Sequence, residues 1–170
     1  MSIKNVTIMG GTGQIGQLIL DALVATQKFN LSAISREESS AIFPAGVTVK
    51  KGDYSNDSFF VEALKGQDVL IMALSFQSPP ELQTRMIKAA AEVGVAYVLP
   101  NEYGSDNGHP TMRESVLVNA GKTQYREQVE RLGKSSWIGI VNNPWYDYVS
   151  CLHLSMKHQL TVAVSARWLL

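Results

Sequence analysis

The chain has a single cysteine, Cys151, among its 170 residues, so no disulfide can close within it. Cysteine this scarce fits a reducing compartment. Charge of one sign is also missing: 15 Lys and Arg balance 15 Asp and Glu, and the formal net charge is zero. A protein that grips a nucleic-acid backbone needs a cationic surplus, so no direct nucleic-acid partner is expected. No block of like charge marks a membrane-binding surface. No apolar run reaches the roughly 18 residues of a membrane span. The start, "MSIKNVTIMGG", enters a strand pattern without the apolar segment of a signal peptide. His153 and His158 show no ligand-like spacing with a carboxylate, and no metal site or nucleophile elbow is expected. These absences predict a cytoplasmic protein, with the nucleus left open. A neutral surface leaves a homodimer open too.

What remains is ordinary globular material, 45% apolar and 18% charged, in a length suited to one domain with a real core. Short apolar runs alternate with helical patterns. Strands are predicted over 3–10, 31–35, 47–53, 68–74, 96–100 and 135–143, with helices over 14–27, 56–66 and 79–94 and at least one within 111–133. Strands separated by helices imply an α/β fold, a Rossmann-like doubly wound parallel sheet with helices on both faces. The strands are nearly continuous apolar runs, as coverage of both sheet faces requires.

The first strand–helix junction reads Gly10-Gly11-Thr12-Gly13-Gln14-Ile15-Gly16. It fits G-x-G-x-x-G from Gly11 and G-x-x-G-x-x-G from Gly10. The first glycine allows a tight turn. Gly13 lets a pyrophosphate approach the backbone, and Gly16 lets the helix pack close to the strand. The free N–H groups and positive dipole end of the helix then face phosphate. Its place between a predicted strand and a predicted helix supports dinucleotide binding over a turn that serves packing alone.

The second strand ends in Ser35-Arg36, with no acid at its tip, although Glu37 and Glu38 follow. An arginine there suits the 2′-phosphate of NADP(H), whereas an acid would suit NAD(H), so NADP(H) is the expected cofactor. A plain surface arginine is the alternative. Asp53, at the end of the third strand, either approaches the adenine side or caps the next helix. Phe76, after the fourth strand, is placed against the cofactor. Asn101, Glu102 and Tyr103, after the fifth, border the nicotinamide region at the carboxyl edge where such sheets bind ligands. His109, near the same edge, reads as a loop histidine.

Four stretches together resemble the isoflavone reductase-like and NmrA-like group of atypical short-chain dehydrogenases. They are "GGTGQIG", the "SR" after the second strand, "AAAEVGVAYVLPNEYGSD" and "GKTQYREQVERLGKSSWIGIVNNPWYDY". The group lacks the Tyr-x-x-x-Lys pair of ordinary short-chain dehydrogenases, and none of the six tyrosines here has a lysine four positions on. The group's reductases carry a lysine followed at i+4 by arginine and at i+8 by glutamate, a spacing that Lys122, Arg126 and Glu130 reproduce. The resemblance makes Lys122 the catalytic candidate. A solvated lysine on an exposed helix face is what the residues alone offer instead.

The resemblance covers about 3–148. It divides the chain into a nucleotide-binding Rossmann domain over 1–148 and an atypical tail over 149–170, with the group's substrate lobe absent. Val149-Ser150 can be encoded as a splice-donor sequence, so the tail is expected to be an intron read in frame or else the end of a short paralogue. Two functions follow from the resemblance. One is hydride transfer between NADPH and a small aromatic or carbonyl-type substrate. The other is a non-catalytic sensor of NAD(P) that binds a regulatory protein partner.

Overall fold

The computed structural model describes residues 2–109 and 121–142, and the backbone of 163–166. Six parallel strands and one antiparallel strand form a single sheet. In chain order the elements are β1 (Asn5–Met9), α1 (Gln14–Thr26), β2 (Asn30–Arg36), β3 (Val47–Gly52), α2 (Asp57–Leu64), β4 (Val69–Met72), α3 (Pro80–Val93), β5 (Tyr97–Leu99), α4 (Thr123–Leu132), β6 (Ser136–Val141) and β7 (Ala163–Ala166). The sheet order is β3-β2-β1-β4-β5-β6-β7. Its first six strands have the doubly wound order, in which the topology reverses between β1 and β4 and opens a crevice at their carboxyl ends.

Each predicted strand and helix in the described residues is present. The part of the 111–133 helical prediction before 121 lies outside them, as do Cys151, His153 and His158. β7 falls in the predicted tail and pairs antiparallel with β6, with Val141 opposite Ala163.

The alternation of side chains along each strand divides the core. On β4, Leu70 and Met72 join Met9, Ile34, Phe60, Met86, Ile87, Val98, Val129 and Trp137 in the cluster under α2, α3 and α4. Val69 and Ile71 point the other way, to Val6, Ile8, Leu20, Leu31 and Ala33 in the cluster that takes in α1. Burying a side chain such as Phe60 contributes about 1.5–3 kcal/mol.

The helix ends follow local chemistry. Asn56 caps α2 by accepting the Ser58 N–H at 3.0 Å. Pro80 occupies the first turn of α3, where its missing N–H costs nothing. Gly94 and Gly133 stop α3 and α4 in the left-handed region.

Candidate functional site: the carboxyl edge of the sheet

The glycine turn leaves β1 at the crevice. Gly10 has φ +85°, and a Cβ there would land on the Ala73 carbonyl oxygen. Of the two motif readings, the structure therefore gives the tight turn to Gly10. Gly11 is buried, and a Cβ on it would crowd Ile8, Leu20 and Phe43. The Gly13 N–H closes the turn on the Gly10 carbonyl at 3.0 Å. Gly13 is the N-cap of α1 and offers no side-chain cap. Hence the N–H groups of Gln14, Ile15 and Gly16 have no acceptor within the helix. Thr12 and Gln14 are exposed beside them. Gly16 packs so tightly on Gly10 that a Cβ would overlap the Gly10 carbonyl.

β2 delivers Ser35 and Arg36 to the same edge. Ser35 is buried and Arg36 exposed, with its Nε 3.7 Å from the Glu38 carboxylate. Asp53 does not cap α2, a role that belongs to Asn56. Both its oxygens are held by Ser55, from the N–H at 2.7 Å and the hydroxyl at 2.5 Å, and these bonds lower its pKa. Phe76 stands on the loop after β4, 90% exposed. Asn101 staples two loops together. Its Nδ2 donates to the Leu74 carbonyl at 2.9 Å, and its N–H donates to Gln83 Oε1 at 2.7 Å.

A second group of residues gathers beyond β5. Gly104 bridges to Val141 on β6, and the Asn142 N–H donates to the Gly104 carbonyl at 3.1 Å. Lys122 is half-buried as the N-cap residue of α4, not inside the helix, with its Nζ beside Gly104. Burial lowers its pKa, and the charge of Glu102 partly restores it. Burial also raises the pKa of Tyr103.

Glu102 is 1% exposed. Its Oε2 accepts Arg126 Nε at 2.7 Å, Arg126 Nη2, and Asn107 Nδ2 at 3.1 Å. The Arg126 guanidinium also lies over the Trp137 ring, 4.5 Å from its centroid. Glu130 accepts the Trp137 indole N–H at 2.9 Å. Arg126 and Glu130 are thus engaged with other elements and do not form a solvated chain with Lys122. Glu102 Oε1 and Asn107 Oδ1 are buried acceptors without a hydrogen-bond partner among the described residues. The sequence marked Glu102 only as a border residue. The i+4 step from Lys122 to Arg126 places the two on one helix face but does not reveal that Glu102 stands opposite Arg126.

His109 is exposed. Among the described residues no group of three or more His, Cys, Asp or Glu is placed to hold a metal, and no helix is long and apolar enough to cross a membrane. An open groove between α3 and α4, lined by Thr84, Lys88, Gln128 and Arg131 among others, shares no residue with this edge.

The strand order and the glycine turn define a doubly wound, Rossmann-like α/β unit. Comparison with known proteins narrows that class. The chain belongs to the NmrA-like family, whose model matches residues 2–156. It is 32% identical to the oxidoreductase aprR of Aspergillus flavus over 155 residues, which is 86% of this chain and 50% of that protein. It is 31% identical to the isoflavone reductase homolog A622 of Nicotiana tabacum, covering 76% of this chain and 45% of that protein. The solved structure of AtPrR2 with NADP+ and (+)pinoresinol matches the fold with a TM-score of 0.72 at 23% identity, over 88% of this chain and 53% of that one. The chain spans about half the length of the curated relatives it matches.

Proposed function

We propose that this chain binds NADP(H) and serves hydride transfer between NADPH and a small aromatic or carbonyl-type substrate. The observation that carries the reading is the glycine turn. Three N–H groups at the start of α1 that have no acceptor within the helix stand where Gly13 has no Cβ to block the approach of a pyrophosphate. The donors and the room fit a dinucleotide. Gly10 through Gly16 would hold the pyrophosphate, and Ser35 and Arg36 the 2′-phosphate ribose. Phe76 and Asn101 would border the nicotinamide arm. AtPrR2, which shares the fold, is solved with NADP+. The cofactor, when bound, supplies the hydride.

The protein's own contribution is a proton at Lys122. A half-buried amine with a lowered pKa gives up its proton more readily than a solvated one. The Glu102–Arg126 ion pair fixes a carboxylate near that amine, so the charge around it does not depend on solvent. Lys122 is the proposed catalytic residue, and Glu102 and Arg126 act through it.

The test follows NADPH consumption against a panel of small quinones and aromatic carbonyl compounds. The parent chain is expected to consume NADPH, and Lys122→Ala to lose turnover while binding NADPH as before. Full turnover by Lys122→Ala would overturn the role given to Lys122, whereas NADPH binding by the parent with no turnover on any substrate would favour a cofactor-sensing role.

A further inference from the structure

The corner that would receive the 2′-phosphate holds an electrostatic problem. Arg36 is followed directly by Glu37 and Glu38, and Glu38 sits 3.7 Å from the arginine. Left to these three residues, the corner carries one more negative charge than positive and would repel a phosphate. The parallel pairing of β2 with β3 brings in another cation. Ser35 stands opposite Lys51, and Arg36 opposite Gly52, on the last two rungs of the sheet edge.

The two cations leave opposite faces. Arg36 shares its face with Ile34, whose side chain joins the cluster under α2 and α3. Lys51 shares its face with Val47, which packs on the cluster under α1. Lys51 then folds over the carboxyl edge, and its Nζ donates to the Ser39 carbonyl at 2.6 Å. Ser39 in turn donates its N–H to the Arg36 carbonyl at 3.1 Å, and Glu37 donates to the Gly52 carbonyl at 3.1 Å. The loop starting at Arg36 therefore wraps the end of β3 and carries the lysine's ammonium to its own first turn.

Lys51 is free to do more than hold this loop. It is exposed, and among the described residues it forms no ion pair. An ammonium has three donors, and the Ser39 carbonyl takes one of them. Its neighbour Lys50 differs. Lys50 is half-buried, donates to the Ala63 carbonyl of α2 at 2.5 Å, and burial lowers its pKa.

We infer that Lys51, whose ammonium folds over the carboxyl edge onto the loop that starts at Arg36, is the second cation of the 2′-phosphate site, and that it and Arg36 set preference for NADP(H) over NAD(H). This rests on the NADP(H) reading above. Lys51 offsets one of the two glutamates beside Arg36, and it gives a dianion at this corner a second cationic donor besides the arginine that Glu38 already engages.

The test titrates the full chain with NADPH, NADH and adenosine 2′,5′-bisphosphate, in the parent and in Lys51→Gln, Lys51→Arg and Arg36→Ala. Lys51→Gln should weaken NADPH and the bisphosphate about tenfold, the loss of one charge-assisted hydrogen bond. NADH should stay within about twofold, since it lacks the phosphate. Lys51→Arg should restore the preference, and Lys51→Gln separates the two roles, because its amide can still donate to the Ser39 carbonyl but carries no charge for the phosphate. Unchanged melting of Lys51→Gln would show that the fold is intact. If Lys51→Gln keeps the parent's preference while Arg36→Ala loses it, the inference about Lys51 is overturned and the NADP(H) reading stands. If the parent shows no preference for NADPH, both are overturned.

Discussion

Lys122 owes its chemistry to where the chain leaves it. At the N-cap of α4 it is half-buried beside Gly104, and desolvation outweighs the pull of Glu102. The folded pKa lies below the unfolded value, so the unfolded chain binds more protons between the two. Stability must therefore rise as pH climbs from the folded pKa towards the ordinary lysine value. Lys122→Met removes that dependence. The variant should be more stable than the parent at neutral pH, with the difference closing in alkali, as read by urea denaturation across the pH range. A constant difference at every pH would contradict the burial argument.

The Glu102–Arg126 pair makes the opposite point, because its partners need each other. Arg126→Met leaves a fully buried carboxylate uncompensated and should cost about 3–5 kcal/mol. Adding Glu102→Gln to it should recover part of that loss. A double mutant as unstable as the sum of the two single ones would show that the pair is not coupled.

At the scale of elements, the two ends of the glycine turn separate folding from binding. A Cβ on Gly16 would overlap the Gly10 carbonyl, so Gly16→Ala must push α1 off the turn. The expected cost is about 1–3 kcal/mol, with melting lowered by roughly 2–4 °C per kcal/mol. Gly13 is different. Its φ of −77° suits any residue, and the Gly10 carbonyl oxygen is 3.3 Å from an added Cβ. Gly13→Ala should melt nearly as the parent does and still lose NADPH, because the methyl fills the approach to the helix N-terminus. Calorimetric melts beside NADPH titrations check both variants.

This contrast also explains what could be read before the structure. The turn, the strand ends and the helix stops depend on backbone chemistry within a few residues, and Gly10, Gly13, Gly94, Gly133 and Asn56 announce it locally. The pairing of Arg126 with Glu102 spans 24 positions, and that of Asn101 with Leu74 spans 27. An i+4 spacing shows which helix face a side chain shares, not what stands opposite it. Asp53 was ambiguous for a different reason, since two side chains close in sequence, Asp53 and Asn56, could each cap α2. Only the geometry shows that Ser55 takes both its oxygens and leaves the cap of α2 to Asn56.

For the whole molecule, two half-cores on either side of one sheet hold all the proposed nucleotide contacts on one edge. The glycine turn of β1, the cations of β2 and β3, and the loops after β4 and β5 come from five neighbouring strands, so rigid pairing fixes their spacing. The order of those strands puts the turn at the topological switch point, where doubly wound sheets hold their ligands. The central claim is that this edge reads NADP(H). Calorimetric titration of the purified chain with NADPH, and separately with NADH, tests it most directly. The account predicts tight binding of NADPH and much weaker binding of NADH. Heat from neither nucleotide, or equal affinity for both, would contradict it.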